Sequence, residues 1–585
     1  HGSIITMGQL PICTYTNEVY PELIMFWGHN PIYSGPDGEL GFGVKEALAR
    51  KPATIVVDPR ETWLAKRADI WLQLRPGTDD ALALAMLNVI IGEELEDKEF
   101  VKKWCHGFED LAERVKVYTP EWAEPITWVT AEKIRKAARL FAEIKPSMME
   151  WGCAIEHTPA CFQTVRALLC LPSITGNIDQ PGSWSFGMLP LPPFPQLFDK
   201  MPMDQQKKRL GYDDFKVLSG ELAQLPSAHI PTIFNAIRTS KPYPVRTGFI
   251  FGNNALSTYG DVKTVFETLM ALDYLVVAEL YMTPTAEIAD LILPVATWAE
   301  VDALPAVPFY GQNVIMAQQK TFQYAECKQD EDIMVEICRR LGTEHGQESP
   351  QEVYDSMLRS TLDFGWEELK QMGFYEPEFK WQKYKENGFD TPTRKIELYS
   401  TRLQELGYDP LPYYEEPPES PYSTPELAHE FPLILITGAR LPMFFQSEYR
   451  QLPKLRKGRP EPECELHPET AADLGVVTGE WVSIETKRGK CRQKVKIFEG
   501  IDPRVVHVQH GWWFPEEEDG PDHGIWRSNA NTLTSMDPPY CSAMGTYQLR
   551  ALLCRVVKVD GSEKPWQPTL PSRYNTNIAE IQEWS

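Results

Sequence analysis

The sequence predicts an α/β protein built from two doubly wound nucleotide-binding domains, related by an internal repeat, and a C-terminal β-barrel domain. Short apolar runs alternate with amphipathic helical stretches from residue 1 to about 190, and again from Arg246 to about Leu341. That alternation is typical of parallel sheets covered by helices. Beyond residue 430 short apolar runs with period-2 alternation dominate, which favours a barrel.

The first α/β stretch has the clearest elements. Leu23 to Trp27, Thr54 to Val57 and Ile70 to Leu72 are apolar runs closed by Gly, Asp or Pro, as buried strands are. Between Thr130 and Ile144 apolar residues recur at helical spacing, and Thr130 is placed to cap that helix.

The C-terminal stretch predicts strands separated by turns. The runs are Leu433 to Ile436, Trp481 to Glu485, Gln493 to Ile497 and Arg504 to Val508. A short helix, Pro468 to Leu474, interrupts them, and Gly479 and Gly489 mark turns. These features predict a compact barrel.

A length of 585 residues is too great for one core at roughly 100 to 200 residues per domain. Prolines crowd residues 410 to 432, which marks a linker. We predict a first dinucleotide-binding domain at 1–195, a Pro-rich excursion at 196–245, a second dinucleotide-binding domain at 246–345, a helical and irregular linker region at 346–430, the barrel at 431–560 and a tail at 561–585.

Composition excludes several classes of function. The chain has 58 Lys and Arg against 82 Asp and Glu, a net charge of -24, so nucleic acid is not expected as a partner. Its longest apolar run, Ala81 to Ile91, is shorter than the roughly 18 residues of a membrane span. Eleven scattered Cys without a CxxC pair predict free thiols, a cytoplasmic location and no zinc or iron–sulfur site in this chain.

The two α/β stretches repeat each other. In the first, a strand ends at Gly28 and the next at Asp58; Thr62, Ala65, Ala68 and Asp69 then follow at +4, +7, +10 and +11. In the second, a strand ends at Gly252 and the next at Glu279; Thr283, Ala286, Ala289 and Asp290 follow at the same four offsets. The probability that all four offsets agree by chance is small.

Doubly wound sheets bind nucleotides at the carboxyl ends of their strands, where a Gly turn admits a phosphate and an acid accepts bonds from ribose or guanine. Two such half-sites predict two nucleotides or one cofactor with two nucleotide arms. The same residues also fit turn chemistry in an α/β protein that binds nothing.

At these residues the sequence resembles the molybdopterin oxidoreductases of the dimethyl sulfoxide reductase family. The resemblance covers nearly the whole chain, and the order and spacing of its motifs are specific. The matching stretches are Met25 to Pro31, Val57 to Thr62, Arg75 to Asp79, Leu171 to Gly182, Met282 to Ala286, Asp290 to Pro294, Thr437 to Arg440 and Asn531 to Thr534.

The resemblance implies a molybdenum or tungsten ion held between two molybdopterin guanine dinucleotides, and it implies the residues that bind them. The first pocket would use Gly28, His29, Asn30, Asp58, Pro59, Arg60, Thr62, Gly77, Asp79, Gly152, Cys153, Gly176 and Asn177. The second would use Gly252, Asn253, Glu279, Thr283 and Asp290. The barrel would contribute Thr437, Gly438, Arg440, Gln446, Ser447, His510, Trp512 and Asn531.

Several of these residues have a plain structural alternative. Gly28, Gly77 and Gly252 also fit simple turns. Trp512 and Trp513 also fit a barrel core, His510 a buried histidine with its hydrogen bonds satisfied, and Cys153 a small buried thiol. These alternatives stay open at the level of sequence.

The resemblance also implies parts upstream of this chain. Family members usually carry an iron–sulfur module and a metal-binding side chain before the first nucleotide-binding strand, and formate dehydrogenases follow that ligand with His-Gly. This chain opens with His1-Gly2. We therefore expect the metal ligand and a 4Fe-4S cluster upstream, no metal ligand in this chain, and a proton-transfer role for His1 unless it is merely a loose terminal residue. An export signal could lie in the same missing part.

The expected reaction is two-electron or oxygen-atom transfer on a small molecule, with an iron–sulfur subunit as electron partner. Formate oxidation is disfavoured, because residues 182–187 lack the Arg that it requires in this family. Residues 98–109, 241–245 and 409–414 are similar to acetylene hydratase, a tungsten member that adds water, so hydration is the alternative. A cofactor-free scaffold subunit of a redox complex is a third possibility, against which the retained acids argue.

Overall fold

A computed structural model describes residues 1–13, 15, 19–35, 39–186, 191–192, 200–307, 314–516 and 523–559. The predicted tail at 561–585 lies outside them. The predicted fold class is confirmed: the chain forms two α/β units with parallel sheets and a closed C-terminal barrel.

The first α/β unit surrounds a four-stranded parallel sheet. Its elements are α1 (Gly2–Met7), β1 (Ile12–Cys13), β2 (Leu23–Trp27), α2 (Pro31–Ser34), α3 (Glu39–Ala49), β3 (Ala53–Val57), β4 (Ile70–Leu72), α4 (Asp79–Gly92), α5 (Lys98–Trp104), β5 (Cys105–His106), α6 (Phe108–Val115), α7 (Pro120–Thr127), α8 (Ala131–Glu143), β6 (Ser147–Trp151), α9 (Cys161–Ile174) and β7 (Trp184–Ser185). The sheet order is β4-β3-β2-β6.

Sequence and packing agree closely in this unit. The longest apolar run of the chain forms α4, which is buried from Asp80 to Leu87 and packs on α7, α8 and α9. Thr130 caps α8 through a hydrogen bond from the Lys133 NH, as predicted. The apolar run Ala81 to Ile91, which is too short for a membrane span, therefore belongs to a buried core helix.

The second α/β unit is smaller. It contains α10 (Met203–Gln206), α11 (Ile230–Thr239), β8 (Thr247–Phe251), α12 (Ala255–Thr258), α13 (Val262–Met270), β9 (Tyr274–Glu279), α14 (Pro284–Glu287) and β10 (Leu291–Pro294). Its parallel sheet has the order β10-β9-β8, the same order as β4-β3-β2. Helices α10 and α11 lie within the predicted Pro-rich excursion.

A mixed region joins this unit to the barrel. Its elements are β11 (Ala306–Val307), β12 (Val314–Met316), α15 (Asp330–Leu341), α16 (Pro350–Arg359), α17 (Trp366–Met372), β13 (Phe374–Tyr375), α18 (Tyr384–Asn387), β14 (Ile396–Glu397), α19 (Thr401–Glu405) and α20 (Pro425–Glu430). Strand β14 pairs with β5, which ties the region back to the first unit.

The barrel closes with six strands in the order β15-β19-β16-β18-β17-β20. Its elements are β15 (Leu433–Ile436), α21 (Pro453–Arg456), β16 (Glu463–Leu466), α22 (Pro468–Leu474), β17 (Trp481–Glu485), β18 (Lys490–Ile497), β19 (Val505–Val508), α23 (Ile525–Ser528) and β20 (Leu552–Lys558). The sequence prediction omitted β16 and β20, and both are needed for closure.

Across the described ranges, no helix is both long and apolar enough to cross a bilayer. All eleven Cys are free thiols, and seven of them are buried.

Candidate functional site

A cavity of about 830 Å³ opens at the carboxyl ends of β2, β3 and β6, where the barrel faces the first α/β unit. Ligands of doubly wound sheets bind at this edge, and the volume is at the upper end of the range for small-molecule sites. Predicted site residues that line it are Gly28, His29, Asn30, Asp58, Pro59, Arg60, Thr62, Gly77, Asp79, Gly152, Cys153, Gly438 and Arg440.

The turn after β2 brings two strand ends very close together. Gly28 has φ +57°, and its NH donates to the Val57 carbonyl at 2.7 Å. A Cβ on Gly152 would lie 2.3 Å from the Gly28 carbonyl oxygen. Only glycine fits this crossing. The turn delivers Asn30 to the cavity wall, where its Oδ1 is buried without a hydrogen-bond partner among the described residues.

Two carboxyl groups face the cavity from neighbouring elements. Asp58, at the end of β3, accepts a bond from the Arg60 NH at 2.8 Å, and Asp79, at the start of α4, accepts one from the Trp27 indole at 2.8 Å. Burial raises the pKa of each to about 6. A ligand that offers NH or OH donors would satisfy their remaining oxygen positions.

Arg60 reaches across to the barrel. Its Nε donates to Glu465 Oε2 at 2.6 Å, and Lys496 Nζ donates to Glu465 Oε1 at 2.9 Å. His507 Nδ1 lies 3.4 Å from the same carboxylate. Burial alone would raise the pKa of Glu465, but His507 and the two cations hold it well below its usual range. Arg60 therefore joins the two units as well as lining the cavity.

The opposite wall carries two arginines from the barrel. Arg440 donates to the Ser34 carbonyl at 3.3 Å, and its guanidinium stacks over Phe445. Arg550 was missed by the sequence reasoning. Its Nε is buried without a partner among the described residues, and burial, with Arg440 nearby, lowers its pKa to about 10.

Gly438 makes room for Arg550, because a Cβ on Gly438 would lie 2.8 Å from the Arg550 guanidinium. Cys153 also lines the cavity and is exposed there, so the small buried thiol considered for it is wrong. A lone Arg inside the apolar stretch Leu549 to Leu552 was the signal that could have found Arg550.

Other predicted barrel residues lie behind this wall. His510 donates from Nδ1 to the Thr437 carbonyl at 2.8 Å, and burial, with Arg450, Arg550 and Arg440 nearby, lowers its pKa to about 3. Gln446, His510 and Trp512 line a cavity of about 10 Å³, room for roughly one water, next to Arg440.

Three more barrel predictions lie in structural contacts. Trp512 is fully buried, so the core alternative holds for its ring. The Ser447 carbonyl accepts a bond from the Trp513 indole at 2.8 Å. Asn531 donates to the Ser257 carbonyl at 3.1 Å and so joins the barrel to the second α/β unit.

The internal repeat extends to two hydrogen bonds that support the backbone. Asp69 accepts from the Thr54 NH and Asp290 from the Leu275 NH, each fifteen residues earlier. Thr62 and Thr283 each accept from the NH three residues later, at 3.1 and 3.3 Å. Asp290 and Thr283 therefore hold backbone in the second half-site.

The second half-site presents its own acid and turn. Gly252 has φ +56°, matching Gly28, and Glu279 accepts from the Leu280 NH at 2.8 Å. Burial raises the pKa of Glu279. Asn253 donates to the Tyr259 hydroxyl at 2.8 Å.

Asn254 is the residue that corresponds to Asn30, two positions after the turn glycine, and its Nδ2 is buried without a partner in the described structure. Aligning Gly252 with Gly28 in the sequence would have identified Asn254 as a site residue. Residues of this half-site do not line the 830 Å³ cavity.

Three predicted residues lie away from the cavity wall. Asn177 is fully buried and accepts from the Ser147 NH at 3.0 Å, at the amino end of β6, and Gly176 packs against Asp97 nearby. The structure does not bring these two to the cavity. His1 precedes α1, and its Nδ1 is buried without a partner in the part of the chain described.

Comparisons with known proteins agree on one family. Residues 17–340 match the model "Molybdopterin oxidoreductase", and residues 433–551 match "Molydopterin dinucleotide binding domain". An acetylene hydratase of Syntrophotalea acetylenica is 37% identical over 512 residues, 82% of this chain and 69% of the relative. A dopamine dehydroxylase of Eggerthella lenta is 28% identical, covering 98% of this chain and 79% of the relative.

The solved structure of acetylene hydratase from Pelobacter acetylenicus superposes with a TM-score of 0.87 at 32% identity. The match covers 95% of this chain and 80% of that chain. The likeness therefore extends to the α/β units and the barrel together.

Proposed function

This chain belongs to the molybdopterin oxidoreductase family, and we propose that it is the catalytic part of a molybdenum- or tungsten-dependent enzyme that carries out two-electron or oxygen-atom transfer on a small molecule. The family establishes a molybdopterin cofactor. Two guanine dinucleotide arms, the choice of metal, a 4Fe-4S cluster upstream of His1 and an iron–sulfur partner subunit are parts of the proposal.

One observation carries it: carboxylates of the first α/β unit and arginines near the barrel line the same cavity. The carboxylates are those of Asp58 and Asp79, and the arginines are Arg440 and Arg550. In a chain of net charge -24, two arginines beside one cavity favour an anionic ligand. A guanine nucleotide offers NH and OH donors at one end and phosphate at the other.

The polar atoms and the backbone at the cavity wall also support a nucleotide ligand. Asn30 Oδ1 and Arg550 Nε are buried and lack partners among the described residues, and such groups are costly unless a ligand pairs with them. The glycine crossing at Gly28 and Gly152 leaves backbone, not side chain, against the ligand. A nucleotide with a pyrophosphate fits this arrangement.

When bound, such a cofactor supplies the two-electron chemistry at its metal. The role of this chain's residues is to hold and orient it. Asp58 and Asp79 would accept bonds from guanine or ribose, and Arg440 and Arg550 would bind phosphate or pterin oxygens.

We propose the second half-site for the other dinucleotide arm. Glu279 takes the position of Asp58, and Asn254 that of Asn30, in the same hydrogen-bonded frame. Asp290 and Thr283 would shape this pocket through backbone contacts. His1, whose buried Nδ1 lacks a partner among the described residues, is proposed as a proton-transfer group.

Hydration without net redox change is the second candidate, and the likeness to acetylene hydratase in sequence and structure favours it. The two reactions differ in one measurable way. Hydration of acetylene proceeds without an electron acceptor, whereas an oxidoreductase turns over only with a donor and acceptor pair.

The test is an activity assay of the purified protein. Purified enzyme is assayed with acetylene alone and with a panel of small oxidants and a reduced viologen dye. Dye oxidation coupled to substrate supports the oxidoreductase, and product from acetylene without dye supports the hydratase. A protein that carries neither metal nor guanine nucleotide would overturn both and leave the scaffold.

A further inference from the structure

Two thiols from distant parts of the chain meet where the first α/β unit contacts the loop before β20. Cys161 begins α9, and Cys541 lies between α23 and β20. Both side chains are buried in one small apolar cluster that also contains Phe162 and Ala543. The Cys161 thiol donates a hydrogen bond to the Cys541 sulfur, so the two sulfur atoms face each other.

The turn at residues 541–546 holds one of these sulfur atoms in a fixed position. The Gly545 NH donates to the Cys541 carbonyl at 2.7 Å, which closes the turn. The Val217 NH, from the segment between the two α/β units, donates to the Ala543 carbonyl at 3.1 Å. The turn is therefore held both by its own backbone and by a neighbouring segment.

Cys541 is the more nucleophilic thiol of the pair. Its sulfur accepts hydrogen bonds from the backbone NH groups of Phe162, Ala543 and Met544. Together with the bond from the Cys161 thiol, they hold the pKa of Cys541 below its ordinary value in spite of burial. The shared bond and burial raise the pKa of Cys161. Because the thiolate is the form that reacts with oxidants, Cys541 reacts first.

The barrel core contains a contrasting group of thiols, Cys464, Cys491 and Cys554. All three are at most 1% exposed, whereas Cys161 and Cys541 are each 6% exposed. Burial raises the pKa of each barrel thiol above its ordinary value. In the barrel group burial outweighs the hydrogen bonds to sulfur, whereas at Cys541 the hydrogen bonds outweigh burial. The barrel thiols are therefore an internal control for the reactivity of the pair.

We propose that Cys161 and Cys541 are a peroxide-sensitive thiol pair, whose oxidation to a disulfide locks the loop before β20 onto the first α/β unit. The Cys541 thiolate attacks an oxygen of hydrogen peroxide, the O–O bond breaks, and a sulfenic acid and hydroxide result. The Cys161 thiol then attacks that sulfur, and water leaves as the S–S bond forms. Each thiol loses its proton, so two thiols and one peroxide give one disulfide and two waters.

The disulfide joins two segments that also line the cavity. Thr158, shortly before Cys161 in the chain, and Arg550, shortly after Cys541, are both lining residues. The Leu549 NH donates to the carbonyl of residue 157 at 3.0 Å, so the two segments already lie side by side. A covalent bond at one end of this contact restricts their separation. Oxidation should therefore make this part of the cavity more rigid.

The experiment adds hydrogen peroxide in graded amounts to the purified, fully reduced protein and maps disulfides by peptide mass spectrometry. We expect one linked pair of peptides, containing Cys161 and Cys541, that dithiothreitol separates again. In the oxidised protein the amides of residues 541–551 should exchange hydrogen about tenfold more slowly than in the reduced protein. Cys161→Ser and Cys541→Ser should lose both effects. Cys338→Ser, which changes a thiol on α15, should keep both.

The wild-type protein alone can overturn the inference, so the test does not depend on the folding of the variants. Oxidation of Cys541 to a sulfinic acid without a linked peptide would overturn it, as would equally ready oxidation of the barrel thiols. A disulfide that leaves exchange at residues 541–551 unchanged would overturn the lock. Thermal unfolding before and after oxidation checks that both states are folded. The inference does not depend on the cofactor, so its failure would leave the proposed function standing.

Discussion

Replacing Glu465 with glutamine is expected to loosen the contact between the first α/β unit and the barrel. Glu465 is buried and holds Arg60 at 2.6 Å and Lys496 at 2.9 Å. Removing one member of a buried ion pair costs about 3 to 5 kcal/mol. Because Lys496 is 41% exposed and can turn to water, we expect the lower value, about 3 kcal/mol.

Glu463→Gln is the matched control. It lies two positions earlier on the same strand, also lines the cavity, and pairs with Arg459 at 2.9 Å, with both side chains partly exposed. Such pairs contribute about 0 to 1 kcal/mol. Native-state hydrogen exchange of peptides covering β16 and β19 measures local opening, and a loss of about 3 kcal/mol accelerates exchange about a hundredfold.

The pH dependence supplies a second check. Because its partners lower the folded pKa of Glu465, its stabilising contribution is fully present above the pKa of an unfolded glutamate, about 4.3, and is lost as the pH falls further. The difference in exchange between wild type and Glu465→Gln should therefore shrink in acid. Equal rates of hydrogen exchange in Glu465→Gln and Glu463→Gln at neutral pH would refute the reasoning.

Three further predictions concern the cavity. Asp58→Asn should weaken guanosine binding about tenfold, as measured by calorimetry. The same variant should stabilise cofactor-free protein at neutral pH by about 1 to 2 kcal/mol, because the pKa of Asp58 is raised to about 6 and its charged form therefore destabilises the fold above that pH. A thermal stability equal to or lower than that of wild type would contradict this. Arg550→Gln should reduce the affinity of cofactor-free protein for GDP-mannose, which carries guanosine and a pyrophosphate, by about 1 to 3 kcal/mol more than its affinity for guanosine, which also changes because Arg550 acts on Asp58 and Asp79; equal losses for the two ligands would contradict this. Cys153 should react with maleimide in cofactor-free protein and be protected in the loaded enzyme, as measured by peptide mass spectrometry. The buried Cys464 is the control and should stay unreactive in both states. Equal labelling of Cys153 in the cofactor-free and loaded protein would place the cofactor elsewhere.

The repeat was the part of the site that the sequence predicted best. Matching offsets located Asp58 and Glu279 at equivalent strand ends, and the structure shows the same hydrogen bonds in both copies. The offsets could not separate ligand groups from backbone supports. Asp290 accepts from a strand NH, so its spacing reflects the fold of the unit as much as any ligand.

Residues from distant parts of the chain were harder to find. Cys541 is one of eleven scattered Cys, and Arg550 follows the first strand by more than five hundred residues. Their significance comes from what the fold brings beside them, Cys161 in one case and Gly438 in the other. Strands β16 and β20 escaped prediction because charged residues interrupt their apolar pattern, although the barrel needs both to close.

The most direct test of the central claim is elemental analysis of the purified protein for molybdenum, tungsten, iron and selenium, with quantification of the guanine nucleotide released on denaturation. We expect molybdenum or tungsten, with about two guanine nucleotides per metal ion. Protein that is folded but contains neither metal nor guanine nucleotide would contradict it.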